Sequence, residues 1–430
     1  MTFSPLAILK SSNQVKRALL ALGLWGLAGV VSTSASAQTL ADLGLSGSLR
    51  GSAWQKDKSF RDQNGYGVGG IWLQARPTEI HGIKAYFDGR LQGQDLTREA
   101  HSVLDVREAF IETSIGHLDF KVGRQITVWG RTDKVNPTDS WSSKDLRLLV
   151  TDDEDQRLGS LAAQMVWNIG SARVISYWQP EWREPQYPIP ALPGGATLRG
   201  LRPQNSEQQF GVKLDQSGGL VDWSVSYAHV IDRTPDLAVL QAGASGVELG
   251  LNYQMIDVVG ADFATTLGSY GVRGEASYVK TKDTSGQDPL TKNSYTFVVL
   301  GADRTFFGNL NINAQYVYRH AFNWRGSAEL TDVNQRNLSD QVQTLSFQRN
   351  ADFHGGSVRL NYKMFNETLD TEVSVFGWLN NGFLRPKLTY SFTDQLRGIL
   401  GAEIYGGASD SFFGRLNKNS SGFVELRYLF

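Results

Sequence analysis

The chain has 430 residues, 42 basic and 43 acidic side chains for a formal net charge of -1, and no cysteine. The missing cysteines exclude a disulfide scaffold and thiolate metal sites. Basic residues scattered among matching acids leave no phosphate-binding face, which argues against a nucleic-acid partner.

Lys10, Lys16 and Arg17 precede an apolar run from Ala18 to Val31, followed by the small residues Ala35, Ser36 and Ala37. The run is shorter than the roughly 20 residues of a spanning helix, so residues 1–37 read as a signal peptide, cleaved before Gln38. Its removal leaves a charge of about -4. Nothing downstream is apolar for 18 residues, and mean hydropathy is -0.28. A bilayer admits only helices and closed barrels. An exported membrane protein with this profile is therefore expected to be all-β, a transmembrane antiparallel β-barrel over residues 38–430.

Segment after segment alternates with a period of two, as a strand between lipid and lumen must. Ile83, Ala85, Phe87 and Leu91 alternate with Lys84, Tyr86, Asp88 and Arg90. Leu310, Ile312, Ala314, Tyr316 and Tyr318 alternate with Asn311, Asn313, Gln315 and Arg319. The same holds for Val358 to Met364 and for Leu384 to Phe392. A soluble β-sandwich also alternates, but export and aromatics near strand ends favour the barrel. Trp223, Tyr227, Tyr316, Tyr318, Trp378, Tyr390 and Phe392 suit interfacial girdles.

Eight short turns are predicted, at residues 77–79, 114–116, 168–170, 216–219, 267–269, 307–309, 365–367 and 393–395. Each joins two strands, and a first strand near Leu43 and a last one near Phe430 bring the total to 18; one miscounted hairpin gives 16 or 20. An even count fits bacterial barrels. Long outer loops fall around residues 130–159, 180–206 and 321–354. The second is proline-dense from Tyr187 to Pro193, so it is either a stiff lid or a stiff surface loop.

Inward positions carry both signs of charge, Glu108 and Glu112 among the acids. Arg319, Arg359, Lys363, Arg385 and Lys387 form a local excess of positive charge from three late strands. Such a group either biases a pore toward anions or belongs to cross-strand ion pairs, the plainer reading. Strict alternation from Leu118, Phe120 and Val122 points Arg124 at lipid, at roughly 2–4 kcal/mol near the midplane. Either a bulge at Gly123 turns it inward or it lies at headgroup level.

The stretch after that strand carries Gly123-Arg124-Gln125, Trp129-Gly130 and Asn136-Pro137-Thr138-Asp139. It resembles an uncharacterised family of Gram-negative outer-membrane barrels marked by G-R-Q, W-G and N-P-x-D, and more distantly the alginate-export porins. The resemblance implies the fold and an outer-membrane location, with no particular substrate. Downstream it departs in the acidic run Asp152-Asp153-Glu154-Asp155. Those acids are solvated, or bind Ca²⁺, or pair with Arg131 and Lys134 to hold the loop in the lumen as a constriction.

The last strand alternates Val424, Leu426, Tyr428 and Phe430 with Glu425 and Arg427. It resembles the C-terminal signal read by the barrel-insertion machinery. The partners implied are that machinery, outer-membrane lipid and lipopolysaccharide. None of the six histidines lies in a nucleophile or metal-ligand motif, so the reading is a non-enzymatic channel with no cofactor. It passes polar or charged solutes and is narrowed by the loop at 130–159. Export of a surface polymer, or a non-conducting barrel whose loops bind a partner, are the alternatives.

Overall fold

The computed structural model describes residues 44–56, 65–94, 101–187, 197–201, 208–243, 246–378 and 381–430. The signal peptide expected over residues 1–37, and the proline-dense stretch beyond Tyr187, lie outside them.

Eighteen strands build the wall. The first nine are β1 (Leu45–Lys56), β2 (Tyr66–Ala75), β3 (Ile83–Gln94), β4 (His101–Ile115), β5 (Leu118–Gln125), β6 (Ser160–Ile169), β7 (Ala172–Gln179), β8 (Gln209–Gln216) and β9 (Val221–Ile231). The rest are β10 (Met255–Leu267), β11 (Tyr270–Lys280), β12 (Tyr295–Phe306), β13 (Leu310–Ala321), β14 (Asp352–Met364), β15 (Leu369–Trp378), β16 (Asn381–Ser391), β17 (Leu396–Gly406) and β18 (Ser421–Leu429). Each pairs antiparallel with its neighbour in sequence. The ring closes where β18 meets β1, with Ser48 opposite Leu429 and Lys56 opposite Ser421. Closure leaves no strand edge unpaired, the condition for a sheet in hydrocarbon.

All eight expected turns join consecutive strands on one rim, and the long connections share the other. Outward positions keep the apolar half of the alternation. Leu104, Ile111, Val122, Val259, Leu300, Val375 and Leu400 are exposed on the outer face. Among the described residues no helix is long and apolar enough to cross a membrane. Among the described wall residues one bulge interrupts the pattern: Asp88 faces Glu108 and Gly89 faces Val106, so Arg107 is the extra residue. Arg107 and Glu108 consequently both point inward.

One open alternative closes and one expectation changes. Register through β5 is unbroken, with Arg124 opposite Ala109 and Leu161, so the bulge at Gly123 is absent. Arg124 keeps the outward parity at the loop rim, where it pairs with Glu181 at 2.9 Å and donates to the Gly159 carbonyl at 2.7 Å. Trp378, expected in an outer girdle, has inward parity and packs edge-on against Phe353 with ring centroids 4.3 Å apart. The connection from 232 to 254, to which the sequence reading assigned no element, forms a hairpin of Asp236–Gly243 and Gly246–Asn252, with Thr197–Leu201 added in parallel.

The connection from 322 to 351 carries a helix, α1 (Val333–Leu345), capped by Asp332, whose carboxylate accepts from the Gln335 amide at 2.7 Å. Val342 on its inner side is buried with Ile231, Leu237, Leu251, Tyr253 and Met255. The outer loops are therefore packed onto one another.

Candidate functional site: a loop across the lumen

Residues 126–159 leave the end of β5 and cross the barrel. Their contacts fall on opposite walls, since β1 is half-way round the ring from β10. Apolar packing forms the first attachment. Trp129 and Trp141 meet edge to face at 5.0 Å, and Trp141 meets Tyr177 at 4.5 Å. Both indoles are buried against inward Ala228, Val230, Ile256, Val258 and Val279. Burying one large side chain is worth about 1.5–3 kcal/mol. Gly211 makes room for the pair: a Cβ there would stand 2.6 Å from Trp141 and 2.9 Å from Trp129.

The second attachment is a carboxylate cage. Inward Glu275 of β11 accepts five hydrogen bonds from the loop. They come from the amides of Arg131 (3.1 Å), Thr132 (3.2 Å) and Thr138 (2.6 Å), and from the hydroxyls of Thr132 and Thr138 (2.8 Å each). Arg131 completes it by pairing with Asp262 at 2.6 Å and with Asp215. Asn136 closes the turn by donating to the Thr132 carbonyl at 2.8 Å. Trp129, Gly130, Asn136 and Thr138, singled out as motif residues in the sequence, are thus the anchor of this limb.

The acidic run makes the third. Asp152 pairs with Arg427 at 2.9 Å and Lys387 at 3.3 Å; Asp153 pairs with Arg385 and, at 3.0 Å, with Lys134. Asp155 meets Arg50 at 2.5 Å and Arg107 at 3.8 Å, while Glu154 turns to Arg157 at 2.6 Å. The carboxylates thus face cations from β1, β4, β16 and β18, in place of the solvated or Ca²⁺-binding arrangement considered from sequence. Only half of the pairing expected inside the loop is present: Lys134 reaches the run, and Arg131 goes to the far wall. Burial works to raise the Asp152 carboxyl, but the Arg427 and Lys387 charges outweigh it and hold the group down at about 2. Asp153 is held low against burial in the same way, by Arg385 and Lys134.

The late basic residues do not assemble into one ring. Arg319 stacks on Tyr295 and Phe297, 4.1 and 4.7 Å from the ring centres, and donates to the Ser346 carbonyl of another loop. Lys363 sits beside a short turn and pairs with Glu367 at 3.0 Å. Arg359 binds Asp133 at 2.9 Å. Arg385 also meets Glu403 at 3.3 Å. Glu108 accepts from the Ile126 amide at 3.0 Å, where the loop departs.

Polar space remains beneath the loop. A cavity of about 310 Å³ is lined by Arg131, Arg173, Lys213 and Asp215 with Lys121 and Gln164. Lys121 and Gln164 also line a second cavity, of about 510 Å³, toward the turn rim, together with Lys84, Glu112 and Asp119. Sequence reasoning read Glu275, Asp215 and Arg427 only as inward charges and did not single out Asp262 or Arg50. A lone acid or base on each of several strands carries no local signature until the ring closes.

A family model described as a protein of unknown function (DUF1302) matches residues 29–376, and the chain belongs to that family. No curated protein sequence matches it. Among solved structures, a triple mutant of the Rhodopseudomonas blastica porin is similar at 13% identity and a TM-score of 0.39, over 90% of this chain and 99% of that one. Salmonella typhi OmpF in complex with daunomycin is similar at 9% identity and a TM-score of 0.41, over 90% and 97% of the two chains.

Proposed function

We propose that this DUF1302 barrel is an outer-membrane channel for polar or charged solutes, narrowed by the loop at 126–159. The observation that carries the reading is the loop's attachment to opposite walls, by a fixed limb at Glu275 and an ion-paired limb at Asp152, Asp153 and Asp155. A closed ring with an apolar outer face suits a bilayer. The lumen beneath the loop is polar, and two cavities sharing Lys121 and Gln164 lead from it toward the short-turn rim.

Charge governs passage in this reading. Arg385, Lys387, Arg427 and Arg50 line one side, Asp215, Asp262 and Glu275 the other, and the loop sets opposite charge against each. A solute passes by fitting the gap left by the loop, selected by width and by these fixed charges. Arg359, Arg385, Lys387, Arg131, Lys134 and Glu108 are the constriction residues proposed, with Glu112 lining the lumen below them toward the turn rim. Arg124 at the outer rim, Arg319 under another loop and Lys363 beside a turn are left out. The reading assigns the barrel neither catalysis nor a cofactor.

Purified protein in planar bilayers should give discrete conductance steps, which grow when residues 130–159 are deleted. A barrel that conducts in neither form overturns the reading. Passage of oligosaccharide with no small-ion selectivity would favour polymer export. Partner binding lost with the loops of a non-conducting barrel would favour a surface receptor.

A further inference from the structure

The cavity of about 310 Å³ beneath the loop has an unequal inventory of donors and acceptors. Its cations come from four elements: Lys121 of β5, Arg173 of β7, Lys213 of β8 and Arg131 of the loop. The carboxylates behind them are spent. Asp215 accepts from Arg131 at Oδ1 and from Arg173 at Oδ2, where Nε stands at 3.2 Å. Asp262 accepts from Arg131 at Oδ1 (2.6 Å), and at Oδ2 from Lys213 (3.3 Å) and the Ser224 hydroxyl. Glu275 is filled by the five bonds of its cage. Asp215 and Asp262 are also withdrawn from water, at 3% and 2% exposed, whereas the side chains of Arg173 and Arg131 are 50% and 22% exposed.

Donors are left over. Arg131 and Arg173 each bond carboxylates through Nε and Nη2, so Nη1 of both is uncommitted among the described residues. Lys121 has no carboxylate within ion-pairing distance among those residues, and its ammonium rests 3.7 Å from the centre of the Phe110 ring. Glu112, opposite Lys121 in the strand pairing, lines the lower cavity and not this one. Ammonium and guanidinium groups carry no acceptor. A solute in this space therefore meets unspent cationic N–H groups, which an anion satisfies with charge-assisted bonds.

The rest of the wall is apolar. Ile126, Val128 and Trp129 of the loop and Ile175 of β7 line the same space. They offer contact to a carbon skeleton, from which a bare inorganic anion gains nothing.

We propose that this cavity is a binding station for small organic acids, with the carboxylate at Lys121, Arg131 and Arg173 and the carbon skeleton against Ile126, Val128 and Ile175. The lower cavity shares Lys121 and Gln164 and extends toward the turn rim, so Lys121 meets the solute in both. The proposal rests on the channel reading for its role in passage, whereas binding itself needs no conduction.

Equilibrium dialysis of the purified full-length barrel in detergent against benzoate tests it, with benzamide as the uncharged analogue of the same shape. Benzoate should bind saturably and about tenfold more tightly than benzamide, the difference one charge-assisted hydrogen bond makes. Lys121→Gln should weaken benzoate by about the same tenfold factor, and Lys121→Arg should restore most of the affinity. Inorganic sulfate should displace benzoate poorly. Equal affinity of the wild-type protein for benzoate and benzamide overturns the proposal whether or not the variants fold. Sulfate that binds as tightly as benzoate, or a folded Lys121→Gln protein that binds benzoate undiminished, overturns it too. A barrel that binds benzoate but stays silent in bilayers keeps the site and loses the channel reading; one that conducts without telling benzoate from benzamide keeps the channel and loses the site.

Discussion

The carboxylate of Glu275 occupies the place a side chain on residue 130 would take: a Cβ built on Gly130 would lie 2.4 Å from Oε2 and 2.5 Å from Oε1. Gly130 also has a φ of 101°, where an L side chain is strained by about 1–3 kcal/mol. Steric and backbone demands at one position therefore both serve the seat of the loop.

Gly130→Ala should unseat the fixed limb without unfolding the ring, because every strand pairing lies elsewhere. Expected is a larger single-channel conductance, with an unchanged heat-modifiable gel shift as the check on barrel folding. Unaltered conductance would detach Gly130 from the constriction.

The double substitution Asp152→Asn and Asp153→Asn removes two negative charges from beside Arg385, Lys387 and Arg427. The Asp152 and Asp153 side chains are 39% and 38% exposed, so solvent screening holds the loss to about 1 kcal/mol per pair. Part of that is relieved here by water or a mobile anion. Reversal potentials across a salt gradient should move toward anion preference, and conductance should rise.

Acid should act on the same limb. The Asp152 carboxyl is held at about 2, below its ordinary 3.8. Its contribution is therefore complete above pH 3.8 and is lost as the pH falls toward 2. Conductance should be flat from pH 7 to 5 and increase between about pH 4 and 2, and the Asp152→Asn protein should lack most of that increase.

Arg124→Ala supplies the contrast. Arg124 faces outward and holds Glu181 and the Gly159 carbonyl at the rim, in a partly exposed pair worth about 1 kcal/mol or less. Thermal stability should fall slightly, and selectivity should match wild type.

The wall was legible because period-two alternation and turn chemistry are local. The eight turns and the closing strand from Ser421 to Leu429 can be read from neighbouring residues. Arg107 was not, since a bulge depends on how two strands align. The hairpin from 236 to 252 went unassigned because it lies inside a long connection between wall strands, with its parallel partner at Thr197–Leu201 far away in sequence. Within the site, Trp129, Gly130 and Asn136 stood out as a dense run, whereas their receptor was invisible. Gly211, Gly260 and Glu275 come from three strands, and only the closed ring sets them against one loop. The acidic run was seen, but its partners Arg50 and Arg427 lie at opposite ends of the chain.

The chain has no cysteine, so an introduced pair can form only one disulfide. A Cβ on Gly260 would lie 3.3 Å from that of Thr138, close to the roughly 3.5–4.5 Å of a disulfide. The most direct measurement is therefore bilayer conductance of the Thr138→Cys, Gly260→Cys protein, oxidised and reduced, at pH 7 and pH 3. A loop seated across a conducting lumen gives a bond that forms in the membrane-embedded barrel and a small conductance at pH 7. The acid-induced rise should be smaller when oxidised and recover with reductant. Failure of the bond to form, or an electrically silent barrel in all four conditions, would contradict it.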